Sequence, residues 1–395
     1  MKLMAIEKEM LAGKHGKATQ KSMEILVTLG EIYDATRMIP VTSVQIAGVS
    51  YANLREPGLE WLAEMARDGK VRVLTTLNPA GMDLDNWRAL GIDPEFAKNQ
   101  KRVVDAFAKM GIITTCTCTP YLIGNLPHFG EHIAWAESSA VCFANSVIGA
   151  QTNREGGPSA LAAALTGVTP EYGYHLDENR QAHITIKVKA KVRGTARFGT
   201  LGKVIGDILD GNAEWTIPYI KGISQANTDE LKAFCASVAT YGGTALFHMR
   251  GITPNKTKVP QDLLLVTEKD MADAEKELND EEAAIDFVSI GCPHASIREI
   301  RRIAELVEGK QVTKETWVTT ARPTKRIADR VGYTAIIEAA GIKFACDTCC
   351  VVAPIKGRFK GLATDSAKGC YYAQGRHKFK TKHRSLEECI EEALS

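Results

Sequence analysis

The apolar positions change period several times along this chain, most legibly in its last third. "AIDFVSI" (284–290) is an apolar run of strand length ending in "GCPHA". Ile297, Ile300, Ile303 and Val307 then recur at helical spacing on one face, with Ser296 and Glu299 as a capping box and Gly309 as the stop. A second run, "ETWVTT" (315–320), enters "ARP", where Pro323 suits the first turn of a helix expected to reach Gly341. "IKFAC" (342–346) makes a third strand. Right-handed crossovers place such strands parallel, and the loops at their carboxyl ends open on one edge of the sheet. "GCPH", "TTARP" and "CDTCC" should therefore lie together.

The earlier part repeats this alternation less regularly. "KVRVLTTLNPAG" (70–81) and "GIITTCTCTPY" (111–121) each read as a buried strand running into a loop, separated by the helical "KNQKRVVDAFAKM". "ITIKVKAKVR" (184–193) alternates apolar with basic residues, as an exposed strand does. The charged segment 267–283 reads as a solvated connector and sets a boundary near residue 280. The expected class is α/β, with parallel-sheet lobes over 1–280 and 281–395.

Composition narrows the function classes. With 49 Lys+Arg against 47 Asp+Glu, no overall basic field attracts nucleic acid or an anionic membrane, so any anion must be held locally. "GTARFGTLGK" (194–203) has Thr200 where a phosphate loop requires lysine. The opening "MKLMAIEKEM" lacks the apolar core of a signal peptide, and no later run approaches a membrane span, so a cytoplasmic enzyme is expected. In such a chain ten cysteines point to core residues, metal ligands or catalytic thiols rather than disulfides.

Three of them, Cys118, Cys292 and Cys349, stand where strands end and are read as converging on one metal centre. Cys142, Cys235 and Cys389 fall on helix-like segments and Cys346 within a strand, which suits core packing. A zinc site using Cys346 and Cys349 wants a second close pair or short-spaced histidines, and ferredoxin spacing is absent. His294 and His248 follow strands and are read either as structural histidines or as contacts to the site.

"QIAGVSY" (45–51), "NPAG" (78–81), "CTPY" (118–121), "AESSA" (136–140), "TNREGGPSA" (152–160), "GCPH" (291–294), "DTC" (347–349) and "TDSAK" (364–368) together resemble the aconitase X family of iron–sulfur dehydratases. The resemblance spans nearly the whole chain. It implies an aconitase-like large part without the small swivelling domain, which a separate small subunit would supply in a heterodimer. It also implies a cluster held by Cys118, Cys292 and Cys349, as [4Fe-4S] or as the [3Fe-4S] form left when a labile iron is lost. Cys116, Cys350 and Cys370 are second choices. The implied reaction is dehydration of (R)-5-phosphomevalonate, a phosphorylated hydroxy acid, for isoprenoid synthesis. Dehydration of cis-3-hydroxy-L-proline is the alternative, and a zinc-stabilised, non-catalytic scaffold subunit is the rival from another class.

The implied chemistry suits the residues. Three thiolates leave one iron of a cubane open as a Lewis acid, whereas four would close it. By resemblance, Gly48, Val49 and Ser50 cradle an anion, Asn78 and Pro79 meet substrate oxygen, Glu137 and Ser138 open an amphipathic helix at the substrate, and Lys368 supplies a counter-charge. Asp365 departs from the family's Asn. Arg154 with Gly156, Gly157 and Pro158 offers either a second anion site or simply a helix start. The general base is expected from the small subunit, so none is assigned here.

Overall fold

Three parallel sheets organise the computed structural model, which describes residues 1–212 and 214–395. The first contains β1 (Ser43–Ile46), β2 (Leu74–Leu77) and β3 (Ala134–Trp135), in spatial order β2-β1-β3. The second contains β4 (Ile184–Val188), β5 (Pro218–Lys221), β6 (His248–Met249) and β7 (Leu263–Val266), in order β6-β5-β4-β7. The third contains β8 (Phe287–Ala295), β9 (Glu315–Thr320), β10 (Lys343–Cys346), β11 (Gly361–Thr364) and β12 (Lys380–His383), in order β10-β9-β8-β11-β12. Every neighbouring pair in that sheet is parallel.

Local chemistry explains the crossovers. After β8, the Ser296 hydroxyl accepts the Glu299 amide and the Glu299 carboxylate accepts the Ser296 amide, opening a helix (Ile297–Val307) that buries Ile300, Ile303 and Val307. After β2, Asp93 caps the helix Pro94–Lys109, which buries Val103, Val104 and Phe107. The segment between them matters for the site. Met82, Trp87, Leu90 and Ile92 pack with Phe287, Trp317 and Ile355, so the chain leaving β2 is fastened onto the third sheet.

Several local expectations require correction. Residues 111–121 do not form a strand: Ile113 bridges Thr76 and the Thr117 amide reaches the Leu77 carbonyl (2.9 Å), but Cys116 at φ 43° breaks the extended run along β2. β4 is an interior strand rather than an exposed one, with Lys187 alone exposed among its five residues. The charged segment forms a docked helix (Glu268–Leu278), because Met271, Ala274 and Leu278 are buried and Arg197 pairs with Glu268 and Glu275. Beyond Pro323 the expected single helix is two, Arg322–Arg330 and Tyr333–Ala339, interrupted at left-handed Gly332 (φ 85°). Finally, "GCPHA" is not a loop after β8. It lies within the strand as a bulge, where the register against β9 slips between Ile290 and Ala295.

Candidate active site

All ten cysteines are buried, yet only Cys118, Cys292 and Cys349 line one cleft of about 740 Å³ among the described residues. Cys118 comes from the irregular run beside β2, Cys292 from the β8 bulge and Cys349 from the turn after β10. Cys292 lies within hydrogen-bonding reach of Cys349, Cys350 and Ser366; the bonds from Cys349 and Cys350, with Lys368 nearby, hold its thiol well below the usual range. Burial pushes Cys118 up to about 12, with Glu137 adding to the shift and Lys368 and the His294 amide opposing it. Cys350 touches Cys292 but does not line the cleft. Cys116 lies near Asp347 and Arg322, and Cys370 bonds Thr381.

The rest of the wall is assembled by buried polar ties. Gly48 is left-handed (φ 79°), and Ser50 precedes the helix Tyr51–Met65. Ala47, rather than Gly48, Val49 or Ser50, is the cleft-lining residue of that loop. Gln100, fully buried, bonds the Val49 carbonyl (2.9 Å) and accepts the amides of Tyr51 (2.9 Å) and Gly81 (3.0 Å), joining the 48–51 and 78–81 loops. Gly157 packs so closely that an added Cβ would stand 2.9 Å from the Ala47 carbonyl, so the helix start behind Arg154 presses on the same loop.

Asn78 and Pro79 line the cleft, and among the described residues the buried Oδ1 of Asn78 has no hydrogen-bond partner, nor has the Oγ of Ser50. The 78–86 segment is tied to the Cys349 turn by Arg322. Its guanidinium donates to Asp347 (Nε, 3.0 Å) and Asp83 (2.7 Å) and pairs with Asp85 (2.7 Å). Asp83 also accepts the Cys346 amide (2.8 Å), and the Ala80 amide donates to the Asp347 carbonyl (2.7 Å).

Glu137 and Lys368 face each other across the cleft floor, with Nζ 2.6 Å from Oε1. Glu137 caps the helix Ser138–Phe143 by accepting the Ala140 amide (2.6 Å). That helix is not amphipathic, since Ser139 through Phe143 are all buried; Ser138 is partly exposed and lines the cleft. Burial opposes the charge on Lys368, but Glu137 and the Cys292 and Cys118 thiols outweigh it and hold the ammonium above its ordinary range. Burial holds His294 down to about 4, hence neutral.

Arg154, Glu155, Asp207, Tyr371 and Arg376 also line the cleft. Of these, Arg154 alone carried a stated role in the sequence, and Tyr371 adjoined a recognised motif. Asp207 and Asp210 sit on a long helix with no local signal. Gln100 and Arg322 lay in segments placed correctly but with nothing to mark their ties. The donor set suits an iron–sulfur cluster. Three thiols share the cleft wall, and thiolates are the donors such a cluster takes.

Comparison with known proteins covers nearly the whole chain. Family profiles described as Aconitase X first, second and third domain match residues 1–178, 182–276 and 285–395. The chain is 46% identical to the phosphomevalonate dehydratase large subunit of Methanocaldococcus jannaschii, over 99% of each chain. It is 45% identical to that of Thermococcus kodakarensis over the full length of both. Against the cis-3-hydroxy-L-proline dehydratase of Pseudomonas aeruginosa identity is 34%, over all of this chain and 70% of that protein. The crystal structure of Thermococcus kodakaraensis aconitase X in its holo-form superposes with a TM-score of 0.92 at 44% identity, covering 100% of both chains.

Proposed function

The chain belongs to the aconitase X family of dehydratases, and from that premise we propose that it is the cluster-bearing large subunit of an enzyme that dehydrates (R)-5-phosphomevalonate to trans-anhydromevalonate 5-phosphate. The observation that carries this reading is the single cleft shared by Cys118, Cys292, Cys349, Glu137 and Lys368. The reaction removes the 3-hydroxyl and a proton from the carbon beside the carboxylate, yielding an alkene and water. A [4Fe-4S] cluster bound by the three thiolates would supply a Lewis acid for the departing oxygen; the [3Fe-4S] form, having lost the labile iron, would be an inactive resting state.

The chain's own residues bind and orient. Lys368 offers a positive charge to a substrate anion, and Asn78 offers its side-chain amide. Gly48, Val49 and Ser50 are read as backing the substrate anion from behind Ala47, the residue of their loop that reaches the cleft. Glu137 keeps Lys368 in place, with Ser138 beside it, and Pro79 shapes the wall. The base that takes the carbon-bound proton is assigned to a small swivelling subunit completing a heterodimer, in keeping with the relatives' designation as large subunits. In this reading residues 1–280 contribute one thiol and 281–395 the other two. Among the described residues no helix is long and apolar enough to cross a membrane, which accords with a cytoplasmic enzyme.

Anaerobic purification with iron and acid-labile sulfide analysis tests the centre. Cys349→Ser should lose most of the iron and Cys350→Ser should keep it; the reverse would move the third ligand to Cys350. Zinc without sulfide would favour a scaffold. Assays of the reconstituted pair on 5-phosphomevalonate and on cis-3-hydroxy-L-proline decide the substrate.

A further inference from the structure

We propose that His294 is the positioning residue that holds the three thiol-bearing segments in mutual register, a role that rests on the cluster reading above. Those segments are 174 and 57 residues apart in sequence, so no local geometry relates them. His294 reaches all three. It follows Cys292 by two residues, its backbone N–H donates to the Cys118 Sγ (3.3 Å), its Nδ1 lies 2.8 Å from the Thr117 hydroxyl, and its Nε2 lies 2.9 Å from the Thr348 carbonyl. Thr117 and Thr348 are the residues immediately before Cys118 and Cys349.

The bonds are directional and mutually consistent. A carbonyl only accepts, so Nε2 carries the proton and Nδ1 accepts from the Thr117 hydroxyl. Thr117 also accepts the Thr119 amide (3.2 Å), fixing the turn that presents Cys118. Behind the ring, the Lys232 ammonium donates to the His294 carbonyl (3.0 Å) and is ion-paired with Glu299, whose carboxylate accepts the Ser296 amide (2.8 Å). His294, Thr117 and Thr348 are fully buried, so water cannot replace a lost partner. An imidazole with an acceptor on one side and a donor on the other spans the two outer segments as a strut, while its own backbone belongs to the third. The amide directed at Cys118 also favours the thiolate form that a cluster ligand must adopt.

Thr117→Val keeps the side-chain shape and deletes the hydroxyl, whereas Thr117→Ser restores it; His294→Gln keeps only one arm of the ring and is measured in parallel, so a folding defect in one variant leaves the other to decide. Challenged with an iron chelator after anaerobic purification with the small subunit, the Val and Gln variants should lose iron on the order of tenfold faster than wild type. The Ser variant should match wild type, and the KM of the loaded fraction should be unchanged. In the iron-free chain, amide exchange in the Val variant should rise together at 117–119, 292–296 and 347–350. Wild-type iron retention in the Val and Gln variants, or faster exchange confined to 117–119, overturns the proposal. A wild-type chain that binds no iron would sink the cluster reading instead, and the exchange pattern would still decide the role of His294.

Discussion

Replacing Lys368 by Met separates the ion pair its ammonium makes from the substrate contact proposed for it. Lys368 and Glu137 are 8% and 5% exposed and form an ion pair at 2.6 Å. Removing one partner of a buried pair costs about 3–5 kcal/mol when nothing else compensates. Here one Glu137 oxygen keeps the Ala140 amide and the Ser139 hydroxyl, and the other borders the cleft, so about 1–3 kcal/mol is expected. If Lys368 also holds a substrate anion, a further charge-assisted bond worth about 1.5–3 kcal/mol disappears, lowering kcat/KM by about 10- to 150-fold. Adding Glu137→Gln removes the stranded charge and should restore most of the stability without restoring turnover. Because the folded pKa of Lys368 lies above the unfolded value of about 10.4, the contribution of its ammonium is fully present below about pH 10.4 and is lost as pH rises through the folded value. Melting curves and steady-state kinetics of the reconstituted enzyme complete the cycle. Recovery of kcat/KM alongside stability in the double variant would refute a substrate role for Lys368.

Arg322→Met should cost about 3–5 kcal/mol in denaturant unfolding, since it strands Asp83 and Asp347 in buried positions; a loss below about 1 kcal/mol would show that the guanidinium is not needed there. Burial holds His175 at about 3 and His383 at about 4, below the unfolded value of about 6.5. Their contribution is therefore full above pH 6.5 and is lost as pH falls. Between pH 7 and 5.5 it amounts to about 2.5 kcal/mol together, and a variant with glutamine at both positions should lessen the fall over that range by that amount, with His294 retaining its own share. Gly157→Ala should push the Ala47 carbonyl and raise KM with little change in kcat, because the built Cβ meets backbone rather than a flexible side chain.

Three of the five strands of the third sheet, β8 to β10, were legible because they are short apolar runs separated by a capped helix and punctuated by Gly and Pro; β11 and β12 went unread, being four residues each and, in β12, polar throughout. Ser296 and Glu299 cap as their spacing implies. The approach of Cys292 to Cys349 followed from strand polarity, even though Cys292 sits in a bulge rather than beyond its strand, whereas Cys118 was expected at the end of a strand that does not form. Residues 111–121 misled because Ile112, Ile113 and the threonines have strand propensity, whereas the left-handed turn at Cys116 is set by tertiary contacts. Lys187 and Lys189 suggested an exposed strand, but both neighbours of β4 arrive from distant sequence. Gln100 and Arg322 escaped for a related reason, and so did the ties of His294, although that residue was singled out: each acts through partners far along the chain, and a single buried polar residue carries no periodic mark.

The thiols' order along the chain constrains how the protein is made. Cys118 leaves the ribosome 231 residues before Cys349, an interval on the order of ten to fifty seconds at usual translation speeds. Throughout it the nascent polypeptide has at most two of the three sulfurs, and the β10 turn that presents the last one does not yet exist. On the cluster reading proposed above, the centre can be completed only after Cys349 has emerged, and a ribosome stalled before codon 349 would display a product lacking one of its three ligands.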